Sequence, residues 1–174
     1  MKATPYVASE DSSLLRRAMS SHSGRTCLEI GAGNGGNLVA VSNGFELVVG
    51  SDLVRPEMGD WTDANANYVL ADLAACFRDK TFDVVAFNPP YLPSDGIGDN
   101  ATDAGRDGEV PLAFLREALR VVKDTGTIVM LLSAESPVER IGAECGRRNF
   151  RLTRMESRHL FYEELAVYEA NRPG

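Results

Sequence analysis

The sequence has few cysteines and no long apolar run. Its three cysteines, Cys27, Cys76 and Cys145, are far apart, and none belongs to a CxxC pair or a Cys/His cluster. Neither a disulfide framework nor a metal site is therefore indicated, which favours a reducing cytoplasm, and we expect the cysteines to be small core residues. No apolar run approaches the ~20 residues of a membrane span. The N-terminal stretch MKATPYVASEDSS also lacks the apolar region of a signal peptide.

Positive charge is scarce as well. The chain has 18 Lys and Arg against 25 Asp and Glu, which gives a formal net charge of −7. Such a surface repels phosphate backbones, so direct binding to duplex nucleic acid is disfavoured, whereas a basic protein substrate or a cationic cofactor is compatible with it. With 174 residues, 44% of them hydrophobic, the chain is predicted to form a single domain over residues 1–174.

Short β-branched runs alternate with amphipathic helical stretches along the chain. This pattern predicts an α/β, doubly wound, mostly parallel seven-stranded sheet of Rossmann-like type, with helices on both faces and a closing antiparallel hairpin. The stretch at 93–108 is the only long loop, and loops of this length are usually functional or mobile. Strands are predicted at 26–30, 46–52, 68–72, 82–88 and 127–133, hairpin strands at 150–155 and 165–170, and helices at 9–19, from 37, at 109–123 and at 137–149.

Polar residues stand at the ends of four predicted strands. These are Glu29 with Gly31, then Asp52, Asp72 and Asn88. Ligands of doubly wound sheets bind at the carboxyl ends of the strands, near the point where the strand order reverses. We therefore expect all of these residues to face one crevice.

The stretch LEIGAGNGGN, residues 28–37, is a glycine loop between a strand and a helix. The spacing Gly31-x-Gly33-x-x-Gly36 lets the backbone approach a ligand closely, and Asp52, 21 residues after Gly31, suits a carboxylate that binds ribose hydroxyls. This pattern fits NAD and S-adenosylmethionine equally well. A plain left-handed turn without a ligand is the alternative, which the density of glycines disfavours.

Two carboxylates bear on the choice between NAD and S-adenosylmethionine. Glu29, two residues before the first glycine, would repel a pyrophosphate, whereas it would attract a sulfonium and an α-ammonium. Asp72 could accept a hydrogen bond from an adenine amino group, with Leu73 packed against the ring. An equally good interpretation of Asp72 is a helix N-cap after a strand.

The run VVAFNPPYLP, residues 84–93, ends a buried strand with an amide and two prolines. The prolines alone could act as a strand stop. A functional interpretation also explains Asn88: its side-chain oxygen and the Pro89 carbonyl can accept the two N–H bonds of a planar nitrogen, and Tyr91 can stack on the same group. The lone pair of that nitrogen would then be aimed at a methyl donor, so that catalysis consists mainly of positioning.

In this order, LEIGAG, SD, ADL and NPPY resemble the motifs of class I S-adenosylmethionine-dependent methyltransferases of the amino-methylating branch. The resemblance covers nearly the whole chain: ASEDSSLL is similar to the family segment PxEDTxLL, AGRDGEV to GGRxGxEV, and HLFYEELAVYEA to the closing hairpin. The chain most resembles the HemK-like methyltransferases of archaea and eukaryotes, which modify the glutamine of the GGQ motif in class 1 release factors.

This resemblance implies S-adenosyl-L-methionine as cofactor, S-adenosyl-L-homocysteine as product, and no metal. It implies that Asn88, Pro89 and Tyr91 surround the target nitrogen. It also implies cofactor contacts from Ser12, Glu29, Gly31, Gly33, Asp52, Asp72, Leu73 and Asn88.

The resemblance further implies a class 1 release factor as substrate and a small zinc-binding activator subunit as partner. In the predicted strand order, the third strand, Tyr68–Asp72, lies at an edge of the sheet. Open edges invite strand addition by another chain, so we expect the activator to dock there.

Three other functions are compatible with parts of the pattern. A nucleic-acid amino-methyltransferase acting on N6 of adenine or N2 of guanine would use the same NPPY chemistry, although this chain lacks the charge and the length to flip a base unaided. A nicotinamide-dependent reductase would leave NPPY unexplained. A non-enzymatic nucleotide-binding module would bind the cofactor without transferring a group.

Overall fold

The computed structural model describes residues 10–54, 65–90, 108–159 and 164–174. The strands are β1 Gly24–Ile30, β2 Phe45–Asp52, β3 Ala66–Leu70, β4 Phe82–Phe87, β5 Val122–Ser133, β6 Arg151–His159 and β7 Glu164–Asn171. The helices are α1 Glu10–Met19, α2 Gly36–Val41, α3 Glu109–Val121 and α4 Val138–Arg147, with a short 3-10 turn at Ser42–Gly44.

The seven strands form one sheet in the order β3-β2-β1-β4-β5-β7-β6. The pairs from β3 to β5 are parallel, and β7 pairs antiparallel with both β5 and β6. This confirms the predicted doubly wound sheet with a closing hairpin, and it confirms that the third strand lies at an edge. The strand order reverses between β1 and β4, which makes their carboxyl ends the switch point.

Alternate residues of the central strands face different helical layers. In β1, Leu28 and Ile30 belong to a buried cluster with α3 and α4, whereas Cys27 belongs to a cluster with α1 and α2. Since side chains alternate along a strand, Glu29 lies on the side of Cys27. Burial on both faces explains why the parallel strands are near-continuous apolar runs.

Several boundaries differ from the sequence prediction, and two of the differences affect the elements around the site. β3 ends at Leu70, so Asp72 lies in the turn that follows rather than at the strand end as predicted. α3 ends at Val121, and β5 begins at once at Val122. The β-branched Val122 favours an extended backbone, and it pairs with Phe82 of β4 before a register shift in the ladder.

The prediction that all three cysteines are core residues is wrong for Cys76. Cys27 and Cys145 are buried, whereas Cys76 is exposed. Cys76 lies in the turn between β3 and β4, so no apolar strand or helix face covers it. Among the described residues, no helix combines the length and the apolar character that a membrane span requires.

Candidate cofactor and acceptor site

The carboxyl ends of β2, β1 and β4 lie side by side at the switch point. Ile30 of β1 is in register with Ser51 of β2 and with Phe87 of β4. The residues that continue from these partners are Gly31, Asp52 and Asn88. The predicted crevice residues of these three strands are therefore neighbours at one edge of the sheet.

The glycine loop turns sharply from β1 into α2. Gly31, Gly33 and Gly35 have φ values of 73°, 53° and 75°, a region that only glycine occupies at low cost. A Cβ at Gly31 would lie 3.2 Å from Phe114 Cε1, whereas a Cβ at Gly33 would meet no atom within 4 Å. The loop thus packs tightly against α3 at Gly31 and is open at Gly33, where its backbone can approach a ligand.

Asp52 at the end of β2 holds the glycine loop in place. Its Oδ2 accepts the Gly33 N–H at 2.9 Å, and its Oδ1 accepts the Val54 N–H at 3.1 Å. The Val54 carbonyl in turn accepts the Tyr68 hydroxyl of β3. A carboxylate can accept about four hydrogen bonds, so Asp52 keeps the capacity to bind a pair of ribose hydroxyls.

Glu29 is a buried carboxylate next to this loop, with 3% of its surface exposed. The Asn37 side chain of α2 donates a hydrogen bond from Nδ2 to Glu29 Oε1 at 2.7 Å, while Glu29 Oε2 is buried without a hydrogen-bond partner. Burial raises the pKa of Glu29 to about 7; the Asn37 hydrogen bond and the Arg16 charge oppose this shift, and the Asp52 charge adds to it. A cation bound at Oε2 would favour the ionised carboxylate.

Asn88 follows directly after β4. Its Oδ1 is buried and has no hydrogen-bond partner, and the next residue, Pro89, is buried as well. A buried amide oxygen without a donor is unusual in a folded protein and costs free energy. This acceptor is therefore available to a donor that the described residues do not provide.

The turn after β3 carries the two residues predicted to contact adenine. Asp72 is exposed, and Leu73 packs against the α3/α4 cluster with a φ of 48°. Arg120 of α3 fixes this turn, because its guanidinium donates to the carbonyls of Ala74 at 2.8 Å and Phe77 at 2.9 Å. The turn is thus fastened to α3 immediately after Leu73.

Some predicted site features lie outside the described residues. Tyr91 and the loop residues 93–107 are among them, and for Ser12 the structure describes only the helical backbone of α1. The described part of the site therefore comprises the glycine loop, Glu29, Asp52, Asp72, Leu73, Asn88 and Pro89.

Sequence reasoning missed three polar residues next to this site, Arg16, Asn37 and Arg120. Asn37 follows the last glycine of the loop directly, and that position could have marked it. Nothing in the sequence distinguishes Arg16 from the adjacent Arg17. The sequence around Arg120 likewise indicates only an ordinary charged residue on a helix surface. Only the packing of α1 and α3 on the sheet places these two.

Comparison with known proteins places the chain among methyltransferases. A Methanocaldococcus jannaschii protein named "Putative protein N5-glutamine methyltransferase MJ0928" is 31% identical over an alignment of 143 residues that covers 74% of this chain and 72% of that protein. No family model matches the chain.

Solved structures show the same fold. A chain of the E. cuniculi Mtq2–Trm112 complex, responsible for methylation of the translation termination factor eRF1, has a TM-score of 0.78 and 23% identity, covering 97% of this chain and 98% of that one. A Burkholderia thailandensis 1,6-didemethyltoxoflavin-N1-methyltransferase with bound S-adenosylhomocysteine has a TM-score of 0.62 and 13% identity, covering 94% of this chain and 77% of that one.

Proposed function

The chain belongs to the protein N5-glutamine methyltransferase family and has the class I methyltransferase fold, and from this premise we propose its reaction and substrate. The protein transfers a methyl group from S-adenosyl-L-methionine to the side-chain amide nitrogen of a glutamine. The glutamine is that of the GGQ motif in a class 1 peptide chain release factor.

The observation that carries this proposal is the buried oxygen of Asn88. Asn88 Oδ1 has no hydrogen-bond partner, and Asn88 follows β4 at the switch point, next to the glycine loop on β1. A primary amide offers two N–H donors on one planar nitrogen. An acceptor held at this position suits one of these donors, and the carbonyl of Pro89 suits the second.

The residues of the crevice fit a sulfonium cofactor. Glu29 supplies a buried carboxylate, the open backbone at Gly33 allows close approach, and Asp52 keeps the capacity to accept ribose hydroxyls. In this proposal, Asp72 and Leu73 of the turn after β3 contact adenine. A pyrophosphate would meet Glu29 with like charge, which disfavours a dinucleotide. When bound, S-adenosyl-L-methionine supplies an activated methyl group and leaves as S-adenosyl-L-homocysteine.

The contribution of the chain to the chemistry is to orient the amide. The nitrogen of a primary amide is a poor nucleophile because its lone pair is delocalised into the carbonyl. Asn88 and Pro89 grip its two N–H bonds and turn the nitrogen toward the donor, and Tyr91 stacks on the amide plane. Positioning of this kind accounts for a large share of catalysis in reactions of activated donors.

The proposed substrate rests on the family and on charge. The E. cuniculi Mtq2–Trm112 complex acts on a translation termination factor, and a surface with a net charge of −7 suits a basic protein better than bare nucleic acid. A release factor substrate places the reaction in the cytoplasm.

A small zinc-binding activator subunit completes the proposal, docked on the edge strand β3. An apolar patch lies at this edge, and we call it the β3 patch. Its members are the exposed Leu53, Val54 and Leu70, at the carboxyl ends of β2 and β3, where Asp52 is in register with Leu70. Exposed apolar side chains beside an unpaired strand edge are typical of a site of strand addition.

The test is methyl transfer from a labelled donor. The chain, with and without an activator subunit, is incubated with a class 1 release factor, with the same factor carrying Gln→Ala in GGQ, and with nucleic acid. We expect label in the intact release factor alone. Label in nucleic acid and not in the GGQ protein would replace this function by that of a nucleobase methyltransferase.

A further inference from the structure

Three polar side chains lie beside the glycine loop: Glu29 is buried, and Arg16 and Asn37 are half-buried. Each has one atom that is buried and has no hydrogen-bond partner: Arg16 Nε, Glu29 Oε2 and Asn37 Oδ1. An unsatisfied buried polar group destabilises the fold, and more so when it is charged. Three such atoms in one place are poorly explained by packing alone.

The three residues come from different elements but lie on one side of the sheet. Glu29 of β1 alternates with Leu28 and Ile30, and it therefore points toward the layer of α1 and α2. Asn37 is in the first turn of α2, and its Nδ2 already donates to Glu29 Oε1 at 2.7 Å.

Arg16 reaches the same place from α1. A Cβ added at Gly36 would lie 3.5 Å from Arg16 Nη2, so the guanidinium lies over the end of the glycine loop. Its positive charge also lowers the pKa of the Glu29 carboxylate. Yet none of the salt bridges within the described residues joins Arg16 to Glu29. The Arg16 charge is close enough to act on Glu29, while Arg16 Nε and Glu29 Oε2 each have no hydrogen-bond partner among the described residues.

The unpaired donor, Arg16 Nε, and the two unpaired acceptors, Glu29 Oε2 and Asn37 Oδ1, suit the two charged groups of an α-amino acid. An α-carboxylate needs a cationic donor, which a guanidinium supplies better than any other side chain. An α-ammonium has three donors and no acceptor, so it needs carboxylate and amide oxygens. The methionine half of the cofactor carries both groups.

We propose that Arg16 and Asn37 are specificity-determining residues for the amino-acid end of the cofactor. Arg16 Nε–H donates to the α-carboxylate, and Asn37 Oδ1, together with Glu29 Oε2, accepts from the α-ammonium. This inference rests on the proposed function in one respect, that the cofactor is S-adenosyl-L-methionine.

The test compares three ligands by titration calorimetry on the whole chain, without a methyl acceptor. S-adenosyl-L-homocysteine carries both groups, its decarboxylated analogue carries only the ammonium, and 5′-methylthioadenosine carries neither. In Arg16→Met, which keeps an apolar stem, we expect the affinity for S-adenosyl-L-homocysteine to fall by about 10-fold or more. Affinity for the other two ligands should stay unchanged, or tighten for the ammonium ligand because a nearby cation is gone.

Asn37→Leu keeps the branched shape of the side chain, removes its polar atoms, and should give a different pattern. We expect weaker binding of both ammonium-bearing ligands, by about 5- to 10-fold, and unchanged binding of 5′-methylthioadenosine. Arg17→Met is the matched control, because Arg17 is next in the helix but is exposed and pairs with Glu156 at 2.6 Å. It should leave all three affinities unchanged.

An equal loss of affinity for all three ligands would overturn the inference, because a purely structural role predicts no dependence on the ligand. Unchanged binding of S-adenosyl-L-homocysteine in both variants would overturn it as well. If thermal melting shows that Arg16→Met is unfolded, Arg16→Lys takes its place. This variant keeps the positive charge but loses the planar guanidinium, and it should show the same ligand dependence in weaker form.

Failure of this inference can be told apart from failure of the proposed function. A chain that discriminates the three ligands as expected but never labels a GGQ glutamine would leave the inference standing and refute the function. If the chain methylates the release factor, but Arg16→Met and Asn37→Leu bind all three ligands as the wild type does, the function would stand and the inference would be refuted.

Discussion

The Gly33 backbone N–H donates a 2.9 Å hydrogen bond to Asp52 Oδ2. This bond joins the glycine loop that follows β1 to the end of the neighbouring strand β2. Asp52 therefore holds the glycine loop in its shape, and in our proposal its remaining lone pairs accept the ribose hydroxyls of the cofactor.

The Asp52→Ala variant is expected to bind the cofactor poorly. It removes the acceptor of the Gly33 and Val54 N–H groups together with the proposed ribose contact, and hydrogen bonds to a charged group contribute about 1.5–3 kcal/mol each. We expect the dissociation constant of S-adenosyl-L-homocysteine to rise by about 10- to 100-fold in calorimetry. Asp124→Ala, at an exposed carboxylate that pairs with Lys80 and Arg172, should leave it unchanged; equal effects would argue against the role of Asp52.

The Asn88→Ala variant should lose methyl transfer but keep its cofactor. Without Oδ1 the target amide loses one of its two acceptors, and misplacement of a reacting group costs about 100-fold in rate. Single-turnover transfer of labelled methyl measures the rate, and calorimetry with S-adenosyl-L-homocysteine measures binding. Asn171→Ala, at an exposed strand end, is the control. Loss of cofactor binding in Asn88→Ala would mean that Asn88 is structural.

Glu29 should make stability depend on pH. Its pKa is raised from the ordinary value of 4.5 to about 7 in the fold, by burial first and by the Asp52 charge, against Asn37 and Arg16. The folded state thus holds this proton more tightly, so the stabilisation is fully present below about pH 4.5 and is lost as the pH rises through about 7.

Urea unfolding of the wild type and Glu29→Gln checks this dependence. The variant cannot ionise, so its stability advantage over the wild type should grow between about pH 5 and about pH 8. Glu46→Gln, at an exposed carboxylate that pairs with Arg25 at 3.3 Å, is the control. Its free energy of unfolding should depend on pH in the same way as that of the wild type. Parallel curves for Glu29→Gln would contradict the raised pKa. In the wild type, affinity for the cationic cofactor should rise over the same interval, because binding favours the ionised carboxylate.

Arg120→Met should loosen the turn that carries Asp72 and Leu73. The variant keeps the apolar stem but leaves the carbonyls of Ala74 and Phe77 without their donor. We expect a loss of about 2 kcal/mol in the free energy of unfolding, since hydrogen bonds from a charged donor are worth about that much. Weaker binding of 5′-methylthioadenosine should accompany it.

Arg116→Met is the matched control for Arg120. Arg116 lies one turn earlier on α3, is half exposed, and pairs with Glu109 at 3.6 Å, a type of surface pair that contributes little. It should change neither stability nor ligand affinity. A similar loss in both variants would show that the effect belongs to α3 as a whole rather than to the turn.

Leu70→Lys should abolish the proposed activator complex. Leu70 is 63% exposed in the edge strand β3, and a lysine there adds a charge that strand addition would have to bury. Co-expression and affinity purification with an activator subunit measure the complex. Met155→Lys changes a 54% exposed apolar residue on the opposite edge strand β6 and should leave it intact. Equal recovery of both complexes would exclude the β3 patch.

The sequence was sufficient for the order of the elements and for the position of the crevice. Near-continuous apolar runs predicted parallel strands buried on both faces, and the glycines at 31, 33 and 36 marked the turn at the end of β1. It was insufficient for the turn after β3. Asp72 and Cys76 lie beyond the strand and are exposed, because the strand ends at Leu70 and an arginine distant in sequence determines where the turn goes.

What the sequence determined by itself is the set of chemical groups at the strand ends, because local patterns set where strands stop and where only glycine or proline is tolerated. The carboxylate at Glu29, the loop glycines and the amide at Asn88 follow from such patterns. Only the tertiary structure decided which charges accompany them. The Arg16 charge acts on Glu29 because α1 packs on the face of the sheet that Cys27 and Glu29 share. Arg120 binds the turn after Asp72 because α3 packs on the other face. Both are contacts between distant segments, and they depend on how helices lie on a sheet rather than on any spacing along the chain.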